Sequence, residues 1–243
     1  MLNRRHIRIK VLQLLYSKTT GKIDNKSLLK HFELSTQNFY KFFLTQIILF
    51  KEIFNESNRF VDLNEKKYFK KDSKKIKKLF SENTLLKSLD SDKFLIKALE
   101  KYELNYWTNN SNKVQNIFKE ILNSEFFVDY SKDQNFFVQD VYKNLIASNN
   151  ELFDFYEDCE IGWVDDFPLV NTIVLNWLIN SSINSSTQIP TKVFKERSDK
   201  KFGKELFKIA VKDDKNIQEL INEYTPEWDN DRIAVIDMII LKM

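Results

Sequence analysis

Glycine and proline set the first limit on this chain. Its 243 residues contain three of each, several-fold fewer than average usage gives, whereas a many-stranded fold needs turn residues at every hairpin. Helices joined by polar loops remain, so the expected class is all-α. With 42% hydrophobic and 30% charged residues, a chain of this length can close a core without a disulfide or a metal. Gly21, Gly162 and Gly203 lie too far apart to build a glycine-rich phosphate loop, which disfavours the common nucleotide-dependent enzymes. A lone Cys159 and two histidines, His6 and His31, make neither a disulfide nor a Cys-rich zinc site. No cofactor and no metal are expected. No run approaches membrane length, and the apolar residues at 11–15 are too few for a signal-peptide core; a reducing cytoplasm is the expected setting.

Apolar periodicity places the helices. Ile7, Val11, Leu12 and Leu15 form a helical stripe that starts after Asn3, a residue suited to an N-cap. A turn is expected at Gly21, a second helix from Asn25 or Ser27 to Phe32, and a long buried helix over 36–60. Further helices are expected at 92–104, 112–123 and 134–148. Asp165-Asp166 read as the start of a buried helix over LVNTIVLNWLI, and 180–188 as a loop. Residues 199–224 carry helical spacing with a break near 212–215, and Pro226 with Trp228 leads into a last helix.

A net charge of +3 says little, but its distribution is uneven. Residues 1–22 hold Arg4, Arg5, Arg8, Lys10, Lys18 and Lys22 with no acid. The first turn of a helix carries the positive end of the backbone dipole and normally attracts Asp or Glu, so arginines there are unfavourable by roughly 0.3–1 kcal/mol each. Two readings stay open: a solvated basic start that binds nothing, or a site where arginine forks and free N–H groups hold nucleic-acid phosphates.

The string R-R-H-I-R-I-K-V-L-Q-L-L-Y at 4–16 resembles the opening helix of the NusB family, R-R-x-A-R-x-x-A-x-Q-x-L-Y, without a gap. Ile7 and Val11 replace alanines. Residues 202–224 are similar to the family's central helices. Trp228, Arg232, Asp237, Ile239, Leu241 and Lys242 fall on W-x-x-x-R-x-x-x-x-D-R-x-I-L-R, with Met238 where arginine is usual. The two stretches cover about a quarter of the chain, in the family's order. The resemblance implies a NusB-like helical bundle that acts without catalysis in transcription antitermination and ribosomal RNA synthesis. It would bind boxA-like single-stranded RNA together with a small-subunit ribosomal protein, NusE, within the RNA polymerase antitermination complex. By position, Arg4, Arg5, His6, Arg8 and Gln13 would face RNA and Tyr16 would help fix that surface. Trp228, Arg232, Asp237 and Lys242 would lie near the ribosomal protein, although the spacing around Trp228 more often marks a core residue.

The same comparison divides the chain into N-terminal helices at 1–63, a helical insertion at 64–190, and NusB-like C-terminal helices at 191–243. The family continues past the point where this chain stops, so truncation or a different packing of the last helix is expected, and the apolar run ending at Met243 should need a cover. Between 66 and 78, eight lysines face one acid, with Tyr68, Phe69 and Phe80 interleaved; this is either a solvated helix face or an extension of the RNA surface. The acidic stretch 151–160 should raise the Cys159 pKa and make it a poor nucleophile. Two other functions compete: a helical scaffold that binds only protein, and the RNA-binding part of a ribosomal RNA methyltransferase. The second needs a glycine-rich cofactor loop and catalytic cysteines that the sequence lacks.

Overall fold

The computed structural model describes residues 1–21, 24–65, 73–128, 130, 134–184, 188–212, 214–228 and 232–243. The expected all-α class holds: the described residues form helices and no strand, with an isolated parallel bridge between Leu2 and Phe194. In chain order come α1 (Arg4–Thr20), α2 (Asn25–Glu65), α3 (Ser73–Ile76) followed by a π-helical turn (Lys77–Ser81), α4 (Thr84–Asp90), α5 (Lys93–Tyr102), α6 (Tyr106–Asn109), α7 (Ser111–Asn123) and α8 (Glu125–Val128). They continue with α9 (Gln134–Val141) and a second π-helical turn (Tyr142–Ile146), α10 (Asn150–Cys159), α11 (Gly162–Asn184), α12 (Arg197–Lys212), α13 (Asp214–Tyr224) and α14 (Val235–Lys242). No described helix is long and apolar enough to cross a membrane.

Three expected boundaries move, each for a local reason. One helix ending at Phe32 and another starting at 36 are expected, yet α2 runs through without a break, and the buried Thr36 hydroxyl donates back to the Glu33 carbonyl at 2.9 Å within it. Asp165 and Asp166 do not cap α11; the helix starts at Gly162, with Asp165 in its first turn, where a carboxylate suits the dipole. Residues 180–184 are helical, and Ser182 donates to the Leu178 carbonyl at 2.9 Å. The expected break near 212–215 is the junction of α12 and α13.

The chain divides into two compact units, 1–37 with 190–243, and 38–189. The first division therefore falls inside α2 and not at 63/64, since the stretch from Phe39 to Phe54, apolar almost all round, forms the core of the second unit. There Phe42 stacks on Trp163 at 4.7 Å and meets Tyr156 edge-on at 4.8 Å. The indole N–H groups are satisfied by backbone: Trp107 donates to the Thr45 carbonyl at 2.8 Å, Trp163 to that of Asn38 at 3.0 Å. A second aromatic group joins Phe80, Phe118, Phe127 and Phe137. Phe80 is thus core and offers no stacking face for a base. Of the lysine run, 66–72 lie outside the described residues; Lys74, Lys77 and Lys78 are exposed, while Lys75 donates to the Val128 carbonyl at 2.7 Å.

One buried polar network crosses this core. The Tyr142 hydroxyl lies 2.7 Å from both Gln46 Oε1 and Asn171 Oδ1, Gln46 Nε2 donates to Asn171 Oδ1 at 2.9 Å, and Asn171 Nδ2 donates to the Ala147 carbonyl at 2.9 Å. Burial pushes the Tyr142 pKa well above its ordinary value, so the phenol stays protonated and donates. The network ties α2, α11 and the π-helical turn at one register, which apolar packing alone does not specify.

Candidate nucleic-acid interface

Helix α1 begins as its sequence predicts. The Asn3 side chain accepts from the N–H groups of Arg5 and His6 at 3.0 and 3.2 Å. In return, the Asn3 N–H donates to His6 Nδ1 at 3.4 Å, which closes a capping box. His6 therefore serves the helix start. Burial lowers its pKa, with the charges of Arg5 and the N-terminal amine adding to the effect, so the imidazole is neutral with its proton on Nε2.

A second helix start lies beside the first. Leu2 donates to the Val193 carbonyl and accepts from Lys195, both at 2.8 Å, which binds the residue before α1 to the segment before α12. Asp199 caps α12 by accepting from the Glu196 N–H at 3.0 Å. From there the two helices run in the same direction. Arg4 meets Asp199 and Phe202, Arg8 meets Phe202, Ile7 meets Gly203, and Leu15 shares a hollow with Ala210 and Val211. Gly203 lets the backbones approach: an added Cβ would overlap the end of the Phe32 ring and come within 2.7 Å of Ile7 Cγ2. The positive ends of two helix dipoles consequently lie at one end of this unit.

This arrangement sorts the basic residues of α1. Arg4 Nε lies 3.5 Å from Asp199 Oδ1, whose side chain is only 4% exposed, so an internal carboxylate relieves part of the repulsion at the helix start. The guanidinium groups of Arg4 and Arg8 sit over the Phe202 ring, 5.1 and 5.4 Å from its centre. Lys10, counted from sequence with the surface charge, is buried on the inward face. Gln13 is half-buried. Arg5 is exposed and, at helical spacing, shares its stripe with Ile9, 49% exposed, and Tyr16, 45% exposed. Arg5 thus shares one outward face with two exposed apolar side chains.

The apolar spacing of α12 marks it as a helix, and its charge is a second property of the same residues. Residues 192–212 carry eight basic side chains against Glu196, Asp199 and Glu205. Glu33 takes up Lys204 at 2.6 Å and Lys200 at 3.4 Å, and these lysines hold its carboxyl below the usual range. Lys195, Arg197, Lys201 and Lys208 remain outward and exposed, with Glu205 3.4 Å from Lys201. An open hollow of about 460 Å³ is lined by Asn3, Arg4, Arg5, Lys195, Glu196, Ser198 and Asp199.

The C-terminal candidates separate from this face. Trp228 is 53% exposed, against the core position its spacing suggests; Arg232 and Asp237 are exposed and Lys242 half-buried. In α14 only Ile239 is buried, while Val235, Ile236, Ile240 and Leu241 are exposed. Beside it, Leu15, Thr19, Ala210, Val211, Val235 and Met238 help line a largely apolar hollow of about 410 Å³. Cys159 lies in the other unit, where burial and then Asp158 and Glu160 push its thiol up to about 11. Among the described residues no cluster of His, Cys, Asp and Glu has the makings of a metal site. No protein-family model, curated protein or solved structure matches the chain.

Proposed function

We propose that this chain is a non-catalytic RNA-binding factor of the NusB type, acting in transcription antitermination and ribosomal RNA synthesis on boxA-like single-stranded RNA together with the ribosomal protein NusE. The observation that carries this reading is the outward face of α1, where Arg5 and Arg8 stand near the positive end of two parallel helices, with Ile9 and, further along the helix, Tyr16 exposed on the same side. Charge of that kind binds a phosphate backbone, and exposed apolar or aromatic faces among the charges suit unpaired bases better than a closed duplex. The residues doing this are those that resemble the family's opening helix, with His6 reassigned to capping. Fluorescence anisotropy of a labelled boxA-like RNA, with and without NusE, tests it. Replacing Arg5 and Arg8 by alanine should lower the salt slope by about 0.7 per lost phosphate contact. Affinity and slope identical to wild type would remove the assignment.

A protein-only scaffold is the second reading, favoured by the exposure of Trp228, Ile236, Ile240 and Leu241. It predicts that NusE is retained after nuclease treatment while no RNA is shifted even at low salt.

A further inference from the structure

We infer that the bound RNA strand does not stay on α1 but crosses onto α12, where Arg197 and Lys201 take backbone phosphates and Phe202 holds Arg4 and Arg8 in place beneath it. The inference rests on the RNA reading above and goes beyond the family resemblance, which assigns no RNA contact to residues 192–212.

The parallel packing is the first reason. In an antiparallel pair each positive helix end would lie beside a negative one, whereas here both positive ends, together with Arg4, Arg5 and Lys195, border the same open hollow. The second is the sorting of charge on α12. Lys200 and Lys204 face α2 and are held by Glu33. Arg197, Lys201 and Lys208 follow one another at helical spacing on the outward face and are all exposed. The acid on that face, Glu205, pairs with Lys201 between side chains 79% and 55% exposed, so the pair is screened and a phosphate competes with it readily.

Phe202 supplies the join. It sits on the edge of α12 that meets α1 and carries both guanidinium groups over its ring. Arginine loses less freedom on binding phosphate when its plane is already fixed. Phe202 is in this sense a positioning residue, and Asp199, which holds Arg4 and caps α12, is another.

Five variants of the full chain decide the matter, each titrated with boxA-like RNA over a series of salt concentrations. Arg197→Ala with Lys201→Ala, both exposed, should lower the slope by about 1.4, two contacts at about 0.7 each. Arg5→Ala with Arg8→Ala should do the same, and Lys215→Ala on α13 should do nothing. Phe202→Leu should weaken binding several-fold with the slope and the urea midpoint unchanged, and Phe202→Tyr should restore it; a purely structural role would move the midpoint instead. If the α1 pair lowers the slope while the α12 pair leaves it at the wild-type value, the strand stays on α1 and this inference is overturned with the RNA reading intact. If neither pair changes anything, both fall.

Discussion

Replacing Gly203 by alanine tests the packing that sets the two helices side by side. In an exposed helix interior the change would stabilise the protein by about 0.8–1 kcal/mol, because alanine has the better helix propensity. Gly203 is not exposed: its new methyl would overlap Phe32 Cζ and sit 2.7 Å from Ile7 Cγ2 and 3.1 Å from Phe32 Cε2. Phe32 and Ile7 are buried to 1% and 0% exposure, so neither ring nor methyl has free space to retreat into. Overpacking of this kind costs about 1–3 kcal/mol. The difference leaves Gly203→Ala destabilising by up to about 2 kcal/mol, and Gly203→Val by more. Urea unfolding followed by far-UV circular dichroism would show a lower midpoint, by up to roughly 1–2 M for a slope near 1–2 kcal/mol/M. Amide exchange should quicken in α1, the start of α2 and α12. Phe32→Leu, which removes the overlapping ring atoms, should recover part of the loss in the double variant. A midpoint that rises in Gly203→Ala would refute the close approach.

Two further outcomes follow from groups described above. Tyr142→Phe removes the donor that faces Gln46 Oε1 and Asn171 Oδ1 and leaves buried acceptors short of a partner, so the unit over 38–189 should lose about 1–3 kcal/mol; a change under about 0.5 kcal/mol in a urea titration would contradict the network. His6 has its folded pKa below the ordinary value of about 6.5, so the unfolded chain takes up the proton first as the pH falls. Its contribution to stability is present above about 6.5 and is lost as the pH drops from there through the folded value. An NMR titration that places the His6 imidazole at or above 6.5 would contradict the capping role.

What was legible from sequence had local causes. Asn3 as a cap, the inward Ile7, Val11 and Leu15, the buried run from Phe39 to Phe54 and the break after Lys212 all follow from propensity and period. What escaped depends on distant partners. The expected gap between Phe32 and Thr36 is closed in α2, where the Thr36 hydroxyl bonds back to Glu33. Lys10 looks like surface charge, yet it falls on the face of α1 that carries Ile7, Val11 and Leu14 and is buried with them. The basic side chains of α12 can be counted in the sequence, but nothing local says that Asp199 is buried under Arg4 and that Glu33 draws Lys200 and Lys204 aside. Trp228 has the spacing of a core residue, and the described helices around it leave it half in water.

The pairing of α1 with α12 also has a consequence for synthesis. The basic helix leaves the ribosome well before α12, and the surfaces that cover Ile7 and hold Arg4 lie beyond residue 196. At translation rates of 5–20 residues per second the interval is roughly 10–40 s. During that time α1 has an apolar stripe without its native cover and arginines without Asp199, beside a polyanionic ribosome. The unit over 38–189 forms a compact unit of its own and is made in full before α12, so it can fold meanwhile. Helix α1 is thus made long before the neighbours that complete its packing.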